Sequence, residues 1–119
     1  MRPHEKLDVW NMAIEFVIVV YRMTETFPSH ERFGLTSQIR RSAVSVPANI
    51  AEGAARRTSK EFNQFLSHAQ GSASELETEL LIAFRLGYLQ EEQYLSARKT
   101  IDSIGRMIVG LSQHLSQRN

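Results

Sequence analysis

Residues 33–53 read FGLTSQIRRSAVSVPANIAEG, and this stretch decides the fold. Apolar side chains recur along it at helical spacing, which predicts an amphipathic helix with Pro47 near its middle. A proline inside a helix removes one backbone hydrogen bond and crowds the carbonyl four residues earlier, here that of Ala43, at a cost of about 3 kcal/mol. We therefore expect a kink at Pro47 and nearby contacts that offset its cost.

Proline, glycine and capping residues divide the whole chain into four helix-sized segments. Pro28 ends the first segment, because proline disfavours a helical residue before it. Thr58 and Glu61 fit a capping box that opens the third segment, and Gly87 suits the left-handed residue that closes it. The segments cover residues 7–26, 35–56, 60–86 and 91–115, each to within about two residues. Short connections favour antiparallel neighbours, which predicts an all-α fold: an antiparallel up-down-up-down four-helix bundle formed by a single domain, residues 1–119.

The third and fourth segments each carry one apolar stripe, with alternating steps of three and four residues. Such stripes are typical of helices that face a bundle core. In the third segment the stripe is Phe62, Leu66, Ala69, Ala73, Leu76, Leu80 and Ala83. In the fourth segment it is Tyr94, Ala97, Ile101, Ile104, Ile108, Leu111 and Leu115.

The first and second segments carry two apolar stripes each, although a bundle core needs only one. The stripes of the first segment are Leu7, Trp10, Ile14, Val17 and Tyr21, and, nearly opposite, Met12, Phe16, Val19 and Met23. Those of the second are Leu35, Ile39, Val46 and Ile50, and, roughly opposite, Val44, Ala48, Ala51 and Ala55. Apolar patches left in water usually mark an interaction surface, which predicts self-association through helices 1 and 2. The alternative is that both stripes are buried within a compact monomer.

Composition favours a cytoplasmic protein that is not bound to a membrane. The 119 residues include no cysteine, and the formal net charge is +1. The N-terminus lacks the apolar core and cleavage site of a signal peptide. The longest apolar run, residues 16–21, is far shorter than the ~20 residues that cross a bilayer as a helix. Because the net charge is small, a nucleic-acid function depends on where the charges lie.

A strip of polar side chains follows the proline-containing helix: Gln38, Arg41, Ser45, Asn49, Glu52 and Arg56. Ser45 and Asn49 can bond backbone carbonyls that Pro47 leaves free. Glu52 precedes Arg56 by four residues, the favourable order for an ion pair. We expect this strip to steady the kink.

Basic side chains gather in and after the same helix: Arg40, Arg41, Arg56, Arg57 and Lys60. Repeated around a ring of subunits, this cluster could bind phosphates, with an affinity that falls as salt is added. The alternative is a solvated charged surface, because no aromatic residues for base stacking are interleaved here.

The sequence contains no pattern that predicts catalysis. His4, His30, His68 and His114 are scattered, and no spacing typical of a metal site or an activated nucleophile occurs. The helix 3 carboxylates Glu75, Glu77 and Glu79 lack the histidine partners of a di-iron bundle. We therefore expect no enzyme activity, no cofactor and no metal.

The run from Arg32 to Gly53 resembles the signature of a bacterial four-helix-bundle family first associated with intervening sequences in large-subunit ribosomal RNA genes, a family that includes relatives of the accessory protein of diversity-generating retroelements. The resemblance extends to residues 6–10, 61–66, 69–75 and 86–89. It implies an antiparallel bundle, a ring of five subunits with a central channel, and binding to nucleic acid or a reverse transcriptase. Arg40, Arg41 and Arg56 are the contacts with nucleic acid that it suggests.

Two hypotheses follow for the function. The first is a non-enzymatic homo-oligomer, a pentamer, that offers a basic surface to RNA, DNA or a nucleic-acid-handling protein. The second is a structural or protein–protein interaction module that binds no nucleic acid.

Overall fold

The computed structural model describes residues 1–117, which form four α-helices and no β-strand. The helices are α1 (Asp8–Thr24), α2 (Leu35–Ala54), α3 (Ser59–Arg85) and α4 (Glu91–Gln117). Short 3-10 turns, Pro3–Lys6 and Ser29–Glu31, precede α1 and α2. Every helix begins and ends within two residues of its predicted boundary.

The helices pack side by side as an antiparallel bundle, which confirms the predicted fold class. The most extensive contact is between α2 and α3, and among adjacent helices α1 and α4 have the least contact. The molecule measures 47 × 23 × 22 Å, so its length is close to that of α3 and α4. None of the helices in residues 1–117 is both long enough and apolar enough to cross a membrane.

The helix ends form where the sequence signals place them. The Glu61 amide donates to Thr58 Oγ1 (3.1 Å), and the Thr58 hydroxyl donates to the Glu61 carboxylate (2.9 Å). In the predicted capping box, the Glu61 carboxylate accepts from a backbone amide. In the structure it accepts from the capping hydroxyl of Thr58 instead. Gly87 has a φ of 85°, and the Tyr88 amide reaches back to the Ala83 carbonyl (2.9 Å). This is a Schellman turn, in which glycine adopts the left-handed conformation without strain.

The predicted stripes of α3 and α4 are confirmed as the core. All of their members are buried except two half-buried residues, Phe62 at the start of the α3 stripe and Leu111 near the end of the α4 stripe. On α2, Ile39, Val46 and Ile50 are buried, while the second stripe faces outward, with Val44 and Ala48 exposed. Half-buried Leu35 and Ala51 lie at the margins of these two faces.

For α1, the predicted division of the apolar residues into two stripes is wrong. The apolar residues that α1 buries are Val9, Ala13, Phe16, Val20 and Met23. This face overlaps the second predicted stripe but is rotated from it, since Met12 and Val19 are exposed. The rotation follows from the packing, because α1 has its most extensive helix contact with α2 and buries the face that this contact requires.

At Gly53, α2 packs tightly against α3. A Cβ atom there would lie 2.8 Å from Phe65 Cβ and 2.9 Å from Phe62 Cδ1. Cβ atoms are essentially never found at such distances. Glycine therefore permits the tight packing between these helices at the end nearest their connection.

Candidate nucleic-acid interface

The five predicted basic residues fall into two groups at opposite ends of α2. Arg40 and Arg41 lie in its first half, whereas Arg56, Arg57 and Lys60 follow its last turn. From Arg40 to Ala54, the last residue of α2, the helix rises by about 21 Å along its axis, and Arg56 lies beyond that end. Within one chain, then, they do not form the single cluster that the sequence suggests.

Arg40 ties α2 to the end of α1. Its Nε donates to Thr24 Oγ1 (2.8 Å) and its Nη2 donates to the Tyr21 carbonyl (3.2 Å). The guanidinium also lies over the Tyr21 ring, 4.6 Å from the centroid. A cation at a helix C-terminus compensates the free carbonyls and the negative end of the helix dipole. Arg40 therefore has a structural role that the sequence does not reveal.

Arg41 is exposed and lies in a basic depression of about 390 Å³ beside the start of α2. We call this feature the α2 depression; it is lined by Tyr21, Arg32, Phe33, Thr36, Ser37, Arg40 and Arg41. No carboxylate is among these lining residues, so its charge is entirely positive. Arginines grouped in this way suit a phosphate, which each guanidinium can bind through two donors.

Aromatic side chains do accompany this basic group, contrary to the sequence-based expectation. Phe33 is 90% exposed, and the Arg32 guanidinium lies 5.4 Å from its ring centroid. Tyr21 contributes a second aromatic wall from α1. Arg32 and Phe33 are neighbours in the sequence, but the sequence does not show that Phe33 is outside the core or that Tyr21 lies beside this basic group.

The second basic group is partly neutralised. Arg56 pairs with Glu52 at 3.0 Å, as predicted, and its guanidinium lies 4.7 Å from the centroid of the Phe65 ring. Arg57 and Lys60 are exposed, and neither makes an ion pair within residues 1–117. This group therefore offers two exposed cations that are not ion-paired within residues 1–117.

The predicted polar strip packs in part against α3. Asn49 Nδ2 donates to the Ser45 carbonyl (2.8 Å) and hydroxyl (3.0 Å), and the Ser45 hydroxyl meets that of Ser72 at 2.8 Å. The carbonyl that Pro47 deprives of its donor is that of Ala43, so Asn49 does not bond the freed group. α2 continues through Pro47 to Ala54, and the kink there stays a prediction.

One carboxyl group is buried between α2 and α3. Glu79 is 8% exposed, and its Oε1 has no hydrogen-bond partner within residues 1–117. Burial raises the pKa of Glu79, and the negative charge of Glu75 adds to the rise. Glu75 itself is exposed and accepts a hydrogen bond from the Ser42 hydroxyl at 3.0 Å. Across the described chain, no three His, Asp or Glu side chains come together in a way that could hold a metal ion.

Comparison with known proteins places the chain in a family. The model of the family described as 23S rRNA-intervening sequence protein matches residues 5–110, which include α1, α2, α3 and most of α4. The chain belongs to this family.

A solved structure also resembles this 23S rRNA-intervening sequence family member. It is the crystal structure of a protein of unknown function from the S23 ribosomal protein family of Bacteroides thetaiotaomicron. The two share 26% sequence identity and a TM-score of 0.79, over 87% of this chain and 97% of the other. No curated protein matches the chain.

Proposed function

We propose that this protein is a non-enzymatic homo-oligomer that binds nucleic acid through the α2 depression. The observation that carries the proposal is the meeting of Arg32, Arg40 and Arg41 in one depression that no carboxylate lines. Such a surface attracts the phosphate backbone independently of base sequence.

The family description supports RNA as the first ligand to test. It refers to 23S ribosomal RNA, and the solved relative is assigned to a ribosomal protein family. Within the α2 depression, Arg40 is held by Tyr21 and Thr24, while Arg41 makes no ion pair within the described chain. Arg32 and Arg41 are therefore the arginines freest to contact a phosphate.

Self-association is supported by apolar surface on α1 and α2. Ile18 on α1 and Val44 on α2 are each more than two-fifths exposed, and Ala48 and Ala55, from the same predicted stripe as Val44, are exposed too. Apolar side chains that recur along two adjacent helices suit contact with another subunit. In a ring of five, the α2 depression would be repeated five times, which raises the affinity for a long strand through multivalency.

A different groove favours the second candidate, a protein-binding module. It has a volume of about 470 Å³ and lies between α1 and α4, the adjacent helices with the least contact. Met12, Phe16, Val19 and Met23 form its apolar wall on α1, and Glu15 and Glu92 lie at its edges. A groove of this kind can accept an amphipathic helix of a partner.

Charge reversal in the α2 depression tests the nucleic-acid proposal. We expect Arg32→Glu combined with Arg41→Glu to weaken binding of a fluorescein-labelled RNA by at least about tenfold, because charge-assisted hydrogen bonds contribute roughly 1.5–3 kcal/mol each. The double variant should also show a shallower dependence of log Kd on log salt. Fluorescence anisotropy at several salt concentrations measures both quantities.

The matched control reverses two charges elsewhere. Lys99 and Arg106 are exposed on α4, outside the α2 depression, and Lys99→Glu with Arg106→Glu changes the net charge by the same amount. Equal losses in the two double variants would show that only net charge matters. No binding by the wild-type protein, together with capture of one protein partner, would favour the protein-binding module.

A further inference from the structure

We infer that the α2 depression holds one unpaired nucleotide of a single strand, with a phosphate at the first turn of α2 and the adjoining base stacked on Phe33. This inference rests on the proposed function and specifies its ligand as single-stranded nucleic acid. Four features of the depression support it: free backbone amides, an unpartnered hydroxyl group, the arginines and an exposed aromatic ring.

The first turn of α2 leaves backbone donors available. The Leu35 amide is met by Glu31 Oε1 at 3.2 Å, and the Gln38 amide begins the helical pattern by bonding Gly34. The amides of Thr36 and Ser37 have no hydrogen-bond partner among residues 1–117. Free amides at a helix N-terminus, together with the positive end of the helix dipole, favour a bound anion.

The hydroxyl group of Thr36 gives a second, independent indication. Thr36 lines the α2 depression and is only 7% exposed, yet its Oγ1 has no hydrogen-bond partner within the described chain. Buried hydroxyl groups are normally hydrogen-bonded, so an unpartnered one calls for an explanation. A phosphate oxygen at the first turn of α2 would supply the missing acceptor.

The charges around this turn favour an anion despite one nearby acid. Glu31 is the carboxylate closest in sequence, and its two oxygens accept from the Leu35 amide and from the Tyr88 hydroxyl (2.9 Å). These hydrogen bonds lower the pKa of Glu31, so it stays ionised at neutral pH. Its charge is opposed by Arg32 and Arg41, which belong to the lining of the α2 depression while Glu31 does not.

Phe33 restricts the ligand to an unpaired base. Its ring is almost fully exposed at the rim of the α2 depression, and Arg32 lies against it. A base within a duplex is covered by its neighbours on both faces, whereas a base in a single strand can stack on an aromatic ring. The phosphate and aromatic contacts together therefore select single strands.

The test compares one strand in two states. A fluorescein-labelled 12-nucleotide RNA of mixed sequence, and the same strand annealed to its complement, are titrated by anisotropy with the full-length protein. We expect the wild-type protein to bind the single strand at least about tenfold more tightly, since each stacked base contributes about that factor. Phe33→Ala should abolish most of this difference, and Phe33→Tyr should retain it.

Thr36→Val tests the phosphate contact separately. Valine has nearly the same shape without the hydroxyl, so we expect weaker binding of both strands together with a higher melting temperature of the free protein. If Thr36→Val instead lost binding because it misfolds, its melting temperature would fall. The direction of the change in melting temperature therefore distinguishes loss of the phosphate contact from misfolding. Leu86→Ala, which removes an exposed apolar side chain far from α2 in the sequence, serves as the control for Phe33→Ala.

Three outcomes would overturn the inference. Equal affinity of the wild-type protein for both strands, unchanged in Phe33→Ala, would refute the base contact and leave the proposed function intact. A change of oligomeric mass in Phe33→Ala would assign Phe33 to a subunit contact. Binding to neither strand would refute the proposed function together with the inference.

Discussion

Glu79 illustrates how a single buried carboxyl group sets a pH dependence. Its pKa in the folded protein is raised by burial, and the charge of Glu75 adds to the rise although the nearby Ser42 hydroxyl opposes it. A group whose folded pKa exceeds its unfolded pKa destabilises the fold when it ionises. The contribution of Glu79 is therefore most favourable below its ordinary pKa of 4.5 and is lost as pH rises through the raised value.

We accordingly predict that Glu79→Gln raises the free energy of unfolding at pH 7, because the amide carries no charge to bury. The gain should shrink as the pH falls to 4, where the wild-type carboxyl is protonated. Urea denaturation at several pH values measures this, with exposed Glu91→Gln as the control. If Glu79→Gln raised the free energy of unfolding equally at pH 4 and pH 7, that result would contradict a raised pKa for Glu79.

Single-residue contacts could be predicted only when they are local. The pair between Glu52 and Arg56 follows from a spacing of four residues on one helix. The hydrogen bonds of Arg40 reach Thr24 and Tyr21, which lie on another helix and 16 or 19 residues away. No periodicity within α2 encodes that contact. Arg40 is therefore predicted as a phosphate contact, whereas in the structure it is hydrogen-bonded to the end of α1.

At the scale of elements, the approach of α2 to α3 at Gly53 gives a sharp prediction. Alanine favours a helix over glycine by about 1 kcal/mol. At Gly53 the added methyl group would crowd Phe62 and Phe65, which typically costs about 1–3 kcal/mol. We expect Gly53→Ala to lower the free energy of unfolding by about 1 kcal/mol.

Gly71 provides the matched control on the neighbouring helix. It lies within α3, and a Cβ atom there would have no neighbour within 4 Å. Gly71→Ala should therefore stabilise the protein by up to about 1 kcal/mol through helix propensity alone. Urea denaturation of both variants tests the pair, and stabilisation by both would show that the α2–α3 contact relaxes without cost.

Helix ends could be predicted well because their signals are local, whereas the buried face of α1 could not. Apolar residues surround most of α1, so the sequence alone leaves its rotation undetermined. The buried face includes Val9, Ala13 and Val20, three residues that belong to neither predicted stripe. The large residues Met12 and Val19 are left exposed on its flank.

At the scale of the whole molecule, the outward faces of α1 and α2 lead to a prediction about assembly. Val44 is 42% exposed on the second stripe of α2. If subunits meet through this stripe, Val44→Glu places a charge in the interface and should release monomers of 13.6 kDa. Light scattering of the purified protein measures the mass.

Leu95→Glu is the control for this experiment, because Leu95 is similarly exposed but lies on α4. We expect it to leave the mass at five times that of the chain. Dissociation by Leu95→Glu alone would place the interface on α4. A wild-type protein that is already monomeric would refute the assembly proposal.

The bundle itself could be predicted because each helix carries an apolar face and short connections restrict their arrangement. The α2 depression could not, since it joins residues from α1, from the segment before α2 and from α2 itself. Its position depends on how far α2 is displaced along α1. Helical periodicity predicts which face of a helix is buried, but it does not specify that displacement.

The capping of α2 by Glu31 has a consequence for amide hydrogen exchange. The Leu35 amide is hydrogen-bonded to Glu31, whose other carboxylate oxygen is held by Tyr88 from the turn between α3 and α4. The next two amides, of Thr36 and Ser37, lack such protection within residues 1–117. Leu35 should therefore exchange slowly in the free protein and its two neighbours rapidly. A single strand bound at this turn would slow the exchange of those two amides and leave Leu35 unchanged.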